Sequence, residues 1–314
     1  MDRKKAAALM LATCFAALLI GWHFLSTVAL TSLSKDYSVS DAGLLEYRIA
    51  LPSYNITPGN LEENSSFSEV SFESRGAEIA AILRMPGPEI KKKIKTQNIS
   101  GIVLLPGATV SKEAEQGLAR RLADLGYASI TLDQRNLGGI DPQGDLQHFL
   151  QDQEPEEHKM VYDALAAAMI LRDRPEIDRD RIIYAGESNG GRFAIIACAL
   201  DKEARGVLAI STCGYGTAAA IASAGSALDI DSARFYLSID PESYLGEVSP
   251  RPLVMIHSLN DTIIPYSLAE QTYALSREPK SLHTVGCATH GYCREMDIAL
   301  KEELEKMSEV AEKG

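Results

Sequence analysis

One stretch in the middle of the chain restricts the possible folds most strongly, because it joins a strand to a helix through a very short turn. Residues 181–186 are β-branched and apolar enough for a buried strand, and residues 189–200 are alanine-rich and long enough for a buried helix. Between them the chain reads Gly-Glu-Ser-Asn-Gly, with the serine at position 188. Such a reversal strains the turn at Ser188 and leaves no room for side chains at the two glycines.

This turn predicts a nucleophile. Ser188 would stand exposed at a helix N-terminus, where the amide of Asn189 can donate to a developing oxyanion. The alternative is a structural turn serine, since average glycine and serine usage produces such a pattern by chance in roughly one chain in ten of this length. The strand before the turn and the helix after it favour the nucleophile.

The composition is that of a folded globular chain. With 314 residues, 46% hydrophobic and 24% charged, the chain can bury the core of one large α/β domain or two small ones. The formal net charge of −12 and the lack of a Lys/Arg stripe with interleaved aromatic residues argue against a nucleic-acid partner.

Residues 1–33 differ in character from the rest of the chain. Residues 6–33 are apolar or small except for His23, and a helix of this length crosses a hydrocarbon core of about 30 Å. A cleaved signal peptide has a shorter apolar region and an A-x-A-like site, and neither is evident, although removal of the segment stays the alternative. The basic residues at the N-terminal end predict a signal anchor with the catalytic domain outside the cytoplasm.

Residues 34–65 are polar and carry two glycosylation sequons, at Asn55 and Asn64, and we interpret them as a linker or an irregular packing arm. A hairpin signal follows, in which residues 70–73 and 77–84 bracket Ser-Arg-Gly. The folded domain is therefore expected over residues 66–314.

From residue 99 onwards strands and helices alternate, which predicts a mostly parallel sheet with helices on both faces. Residues 214–249, rich in Ala, Ser and Asp, interrupt this alternation and are expected to form a small cap over the strand ends. The expected strands cover residues 102–105, 127–132, 181–185, 206–211, 252–257 and 281–285, and the expected helices cover 111–125, 156–171, 189–200, 267–276 and 294–307.

Two candidate partners for Ser188 follow later strands. Asp261 comes four residues after the strand that ends at residue 257, and His290 lies in the loop after the next strand. Both therefore belong to the sheet edge where parallel α/β proteins bind ligands. An imidazole can take the proton of the serine near neutral pH, and a buried carboxylate can fix the imidazole tautomer.

The other candidates fit less well. His257 lies at a strand end and His283 within a strand, where a packed core role is expected. His148 and His158 precede Ser188 in the chain and do not fit the expected order of the triad. Three acids of the cap segment are expected to be solvated or to cap helices, namely Asp229, Asp231 and Asp240.

A second oxyanion donor is expected from the loop after the first strand of the alternating region. Gly107 permits a close backbone approach there, which makes the amide of Ala108 the candidate and that of Thr109 the fallback. Residues 133–139 end the following strand, and we interpret them as a glycine turn in preference to a wall of the pocket.

Taken together, these motifs resemble those of the α/β-hydrolases, close to the dienelactone hydrolase and prolyl-oligopeptidase-like branch. The resemblance covers residues 66–314 and is carried by residues 161–181, 186–191, 258–261 and 289–291. It implies that Ser188 is the nucleophile, Asp261 the acid and His290 the base. The propeller of prolyl oligopeptidases is absent, because only about 30 residues separate the apolar segment from the hydrolase domain.

Four cysteines lie beyond the apolar segment, at positions 198, 213, 287 and 293. Outside the cytoplasm a Cys287–Cys293 disulfide is the most natural pairing, since it would pin the loop of His290, and free thiols are equally compatible with the sequence. The spacings do not match a zinc site, and no cofactor is implied.

The sequence thus predicts a serine hydrolase that cleaves a small ester or a peptide amide through an acyl-enzyme. Carboxylesterase and peptidase both remain open, because the triad determines the chemistry and the pocket determines the substrate. The alternative from another class is a non-catalytic binding or scaffold protein that has kept the fold.

Overall fold

A computed structural model describes residues 36–62, 64–94, 98–225 and 229–308. The predicted membrane segment, residues 1–33, lies outside these ranges. Among the described residues no helix combines the length and the apolar character needed to cross a bilayer. Residues 36–38 belong to an N-terminal unit, Met1–Ser38, and the account below concerns the unit that starts at Val39.

The strands are β1 (Tyr37–Val39), β2 (Leu45–Tyr47), β3 (Tyr54–Leu61), β4 (Ser65–Ser74), β5 (Ala77–Pro86), β6 (Ile99–Leu105), β7 (Ala128–Leu132), β8 (Ile177–Glu187), β9 (Gly206–Ile210), β10 (Leu253–Ser258) and β11 (Lys280–Val285). The α-helices are α1 (Pro88–Lys91), α2 (Gln116–Asp124), α3 (Pro142–Leu150), α4 (Glu156–Asp173), α5 (Asn189–Leu200), α6 (Thr217–Ala224), α7 (Ile230–Ile239), α8 (Leu245–Val248), α9 (Tyr266–Leu275) and α10 (Asp297–Ser308).

A nine-stranded sheet forms the centre of the unit, in the order β11-β10-β9-β8-β6-β7-β5-β4-β3. The strands from β11 to β7 are parallel, and β5, β4 and β3 add an antiparallel extension. The predicted hairpin is the β4–β5 pair, which confirms that reading of the turn at residues 74–76. The mostly parallel sheet expected from the strand–helix alternation is also confirmed.

Successive side chains of a buried strand point to opposite faces of the sheet, so both faces must be covered. Helices cover both faces of the parallel strands. On β8, Ile183 packs in a cluster with residues of α2 and α10. The next residue, Tyr184, donates to Asp201 Oδ2 at 2.9 Å, beside the C-terminal ends of α4 and α5. The strand that precedes Ser188 is therefore fixed from both sides.

Two elements differ from the sequence expectation. Residues 54–61 form strand β3 and residue 65 begins β4, so these residues are not a linker. Strand β3 lies at the sheet edge with mostly exposed residues and a register shift between Pro58 and Leu61, which hides the usual strand alternation. Helix α3 was not predicted, although Asp141 caps it by accepting from the Gly144 amide at 3.1 Å and proline stands at its first position.

The segment predicted as a cap contains α6, α7 and α8. Its acids act as expected for capping residues: Asp229 accepts from the Ser232 amide at 2.9 Å at the start of α7. Asp240 is buried and accepts from the amides of Tyr215 and Thr217 at 3.1 and 2.8 Å. Because these carboxylates are occupied by backbone amides, they are not available to orient a histidine.

Candidate active site

Ser188 lies in the tight turn that the glycine pattern predicts, between the last residue of β8 and the first residue of α5. Its backbone angles, φ 51° and ψ −117°, are strained for a residue with a side chain. A Cβ on Gly186 would overlap the backbone of Gly190, and a Cβ on Gly190 would overlap the carbonyl of Leu105. The two glycines are therefore required for the turn, which presents Ser188 at the N-terminus of α5.

The loop after β6 lies directly beside the serine. A Cβ on Gly107 would stand 3.5 Å from Ser188 Cβ, so this loop approaches the nucleophile as expected. Thr109, the fallback oxyanion donor, already donates its amide to the Leu137 carbonyl at 2.6 Å. Within the described part of the chain, the amides of Ala108 and Asn189 have no acceptor, so both are free to bind an oxyanion.

Residues 133–139 are more than a glycine turn, because they pack on the oxyanion loop. Asn136, Leu137 and Gly138 all have positive φ, and the Leu137 carbonyl accepts from the Thr109 amide of the oxyanion loop. The Gly138 carbonyl accepts from Asn189 Nδ2 at 2.7 Å, and Gln134 Nε2 donates to the Pro106 carbonyl. The segment thus forms a wall of the site and corrects the preference for a simple turn.

Asp261 and His290 are in direct contact, as the sequence predicts. His290 Nδ1 lies 2.8 Å from Asp261 Oδ2, and Asp261 Oδ1 accepts from the amides of Ile263 and Ile264 at 2.9 Å each. Burial raises the pKa of Asp261, but the hydrogen bonds from the Ile264 amide, His290 and the Ile263 amide outweigh it, so the pKa lies below its ordinary value. The carboxylate is therefore ionised at neutral pH and leaves Nε2 of His290 for another partner.

The other histidines have structural partners. His257 is fully buried and its Nε2 lies 2.8 Å from the Ile264 carbonyl, so it supports the loop of Asp261; burial lowers its pKa. His158 contacts Ser238 Oγ at 2.6 Å in the core, where burial lowers its pKa to about 3. His283 pairs with Glu303 at 2.8 Å, and His148 is exposed.

The loop of His290 is held at both ends by a disulfide between Cys287 and Cys293. Of the two possibilities that the sequence left open, the structure contains the disulfide. Among the described residues, one cluster has the composition of a metal site: the two sulfurs of this disulfide and Glu295. Sulfurs bonded to each other are not thiolates, so this cluster does not bind a metal. Cys198 and Cys213 are buried free thiols.

Sequence reasoning missed one pair of residues at the site, Glu187 and Glu115. Glu187 directly precedes Ser188, and its Oε1 accepts from the Tyr292 amide at 3.2 Å, two residues after His290. This contact brings the loop of His290 to the strand end that carries the serine. The only signal in the sequence was the identity of the residue before the serine, a glutamate that ends a buried strand.

A family model described as acetyl xylan esterase matches residues 142–245, a range that includes Ser188 but neither Asp261 nor His290. The protein YfhR of Escherichia coli O157:H7 is 31% identical over 139 residues, which are 43% of this chain and 47% of that protein. The chain therefore spans about half the length of the curated relatives it matches.

Solved structures show the same fold at low sequence identity. An acetyl xylan esterase from Paenibacillus sp. R4 superposes with a TM-score of 0.65 at 18% identity, covering 81% of this chain and 89% of that one. Est1E from Butyrivibrio proteoclasticus superposes with a TM-score of 0.54 at 17% identity, covering 76% and 96%. The predicted resemblance is thus confirmed at the level of the fold.

Proposed function

We propose that this chain, which is an α/β-hydrolase by its fold, hydrolyses carboxylic esters through an acyl-enzyme formed on Ser188. Two features at the same sheet edge carry the proposal: a strained, half-buried serine that follows β8 at the N-terminus of α5, and a partly buried His290–Asp261 contact after the neighbouring strands β10 and β11. The family model and the Paenibacillus structure, both named for acetyl xylan esterase, support the same reaction class.

In the first half of the proposed reaction, His290 Nε2 takes the proton of Ser188 as the hydroxyl attacks the ester carbonyl. Asp261 holds the imidazole through Nδ1 and stabilises the imidazolium. The amides of Ala108 and Asn189 bind the negative oxygen, and the imidazolium then protonates the departing alcohol.

In the second half, His290 takes a proton from water, and the resulting hydroxide attacks the acyl carbon. The same two amides bind the oxyanion again. The carbon–oxygen bond to Ser188 breaks, the serine regains a proton from the imidazolium, and the free acid leaves. Each proton that His290 accepts is thus returned within the same half-reaction.

We propose that esters are hydrolysed faster than amides, and a comparison of the two substrate classes tests this. We expect kcat/KM for p-nitrophenyl acetate to exceed that for alanine p-nitroanilide by at least about 100-fold, because the supporting relatives are esterases and an amine is a poorer leaving group. Steady-state rates on these two substrates and on p-nitrophenyl decanoate check this and measure the acyl chain length preferred. Faster cleavage of the anilide would favour a peptidase.

The competing proposal is a scaffold protein without activity. Ser188, Asp261 and His290 would then have no reason to occur together with two free amides at one sheet edge. A wild-type protein that hydrolyses none of the three substrates would favour the scaffold.

We also propose that the domain is anchored to a membrane by residues 6–33 and faces away from the cytoplasm. The apolar run and the basic residues before it support this proposal.

A further inference from the structure

Two carboxyl groups meet beneath the loop of His290. Glu187 is the last residue of β8, and Glu115 immediately precedes α2, at the end of the loop that supplies Ala108. Only 5% of the Glu115 surface is exposed, and its side chain hydrogen-bonds to that of Glu187. Two carboxyl groups can share a buried site only if one of them keeps its proton.

The surrounding donors determine which of the two carries the charge. Glu187 Oε1 accepts from the Tyr292 amide, and His290 also favours its charged form. Glu115 Oε1, in contrast, has no hydrogen-bond partner within the described part of the chain. When the pair holds one proton, that proton therefore sits on Glu115, which donates to Glu187.

The loop of His290 is shaped to receive this carboxylate. Gly291 has φ +85°, and a Cβ there would collide with Glu187 Oε2, so only glycine allows the approach. The Cys287–Cys293 disulfide closes the ends of the loop, but it does not join the loop to β8. Glu187 makes that connection.

We propose that Glu115 and Glu187 are positioning residues for His290: an acid–carboxylate pair that holds the histidine loop against the strand end of Ser188 and places a second negative charge near the imidazolium. This role deepens the proposed ester hydrolysis and rests on it for its catalytic consequence. Neither residue donates or accepts a proton in the reaction. They act through the position and charge of His290.

Charged groups on the neighbouring elements are already engaged with one another. Lys112 pairs with Asp133 at 2.6 Å and with Glu113 at 2.7 Å, and Arg121 of α2 pairs with Asp297 of α10 at 3.0 Å. Among the described residues outside the pair, His290 is the ionisable side chain whose charge affects the pKa of Glu187. No nearby cation would therefore compensate the ionisation of Glu115.

The pair gives the enzyme an alkaline limit. Burial, followed by the charge of Glu187, raises the pKa of Glu115 to about 10, and burial also raises the pKa of Glu187. Between the pKa of Glu187 and that of Glu115, the pair carries one proton and is intact. As the pH rises through about 10, Glu115 ionises, the two carboxylates repel each other, and the contact with the Tyr292 amide is lost. Activity should fall there, because the loop of His290 is no longer held against the strand end of Ser188.

The test compares Glu187→Gln and Glu115→Gln with Glu113→Gln, a matched control whose side chain is exposed and pairs with Lys112. The amide of a glutamine at 115 can still donate to Glu187 but does not titrate, so the alkaline fall in kcat/KM should move upwards. For Glu187→Gln we expect kcat to fall about 10-fold with little change in KM, since a charge near the imidazolium acts in the transition state.

Amide hydrogen exchange of residues 286–293 gives a second readout that does not depend on activity. In Glu187→Gln the Tyr292 amide should exchange at least about 10-fold faster than in the wild type, because it loses a charged acceptor. Glu113→Gln should leave this exchange rate unchanged.

The outcomes separate the two proposals. Unchanged exchange at Tyr292 in Glu187→Gln, or an alkaline fall that is the same in Glu115→Gln and the wild type, would overturn the positioning pair. A wild type without any esterase activity would overturn the proposed function, while the exchange experiment would still decide whether the pair holds the loop.

Discussion

Ser188→Ala should abolish ester hydrolysis, with kcat for p-nitrophenyl acetate reduced at least about 10⁴-fold. The hydroxyl is the group that becomes acylated in the proposed mechanism, and no other side chain can replace it in the turn. The oxyanion donors remain in this variant, so a small residual rate above that of the uncatalysed reaction is expected. Steady-state kinetics on the purified variant provide the measurement.

Ser211→Ala is the matched control for this prediction. Ser211 follows the neighbouring strand β9, is fully buried, has a φ of 48°, and its hydroxyl has no partner in the described part of the chain. It therefore shares the strained backbone of Ser188 but not its proposed role. Its activity should stay within about 3-fold of the wild type, as for a change that removes only an unpaired hydroxyl. Equal losses in both variants would mean that Ser188 acts through the fold.

The second large effect is expected at the histidine–carboxylate pair. His290→Ala removes the base, and we expect kcat to fall about 10⁴-fold; Asp261→Asn should cost nearly as much, because it favours the wrong imidazole tautomer. The losses should not add to that of Ser188→Ala in a double variant, since the three residues act as one unit. Kinetics on the single and double variants check both statements.

His283→Ala serves as the control for His290→Ala. His283 also pairs with a carboxylate at 2.8 Å, and its side chain is 29% exposed against 24% for His290. It lies within β11, however, and not in the loop after it. Only a modest loss, roughly 3-fold or less, is expected from such a partly exposed pair. A fall in His283→Ala comparable to that in His290→Ala would contradict the assignment of the base.

The sequence was most informative where local chemistry determines the backbone. The glycines on either side of Ser188 predicted the turn because no side chain fits at those positions. The spacing of Asp261 and His290 from their strands predicted their meeting, because parallel strands end at one edge. These inferences needed only the strand order along the chain.

Contacts between distant parts of the chain could not be predicted from the sequence. Strand β3 carries a proline and mostly exposed residues, and only its pairing with β4 reveals it as a strand. The contact of Glu115 with Glu187 joins residues that are 72 positions apart (187 − 115), and neither belongs to a known motif for such a pair. Left-handed residues at 136 and 137 are not glycines, so nothing in the composition indicated that this loop would line the site.

The most direct test of the central claim is to react the purified protein with a fluorophosphonate probe and to locate the adduct by peptide mass spectrometry. We predict a single adduct on Ser188, formed rapidly in the wild type and in Ser211→Ala, and at least about 100-fold more slowly in His290→Ala. An adduct on another residue, or equal labelling rates in the wild type and His290→Ala, would contradict an activated Ser188.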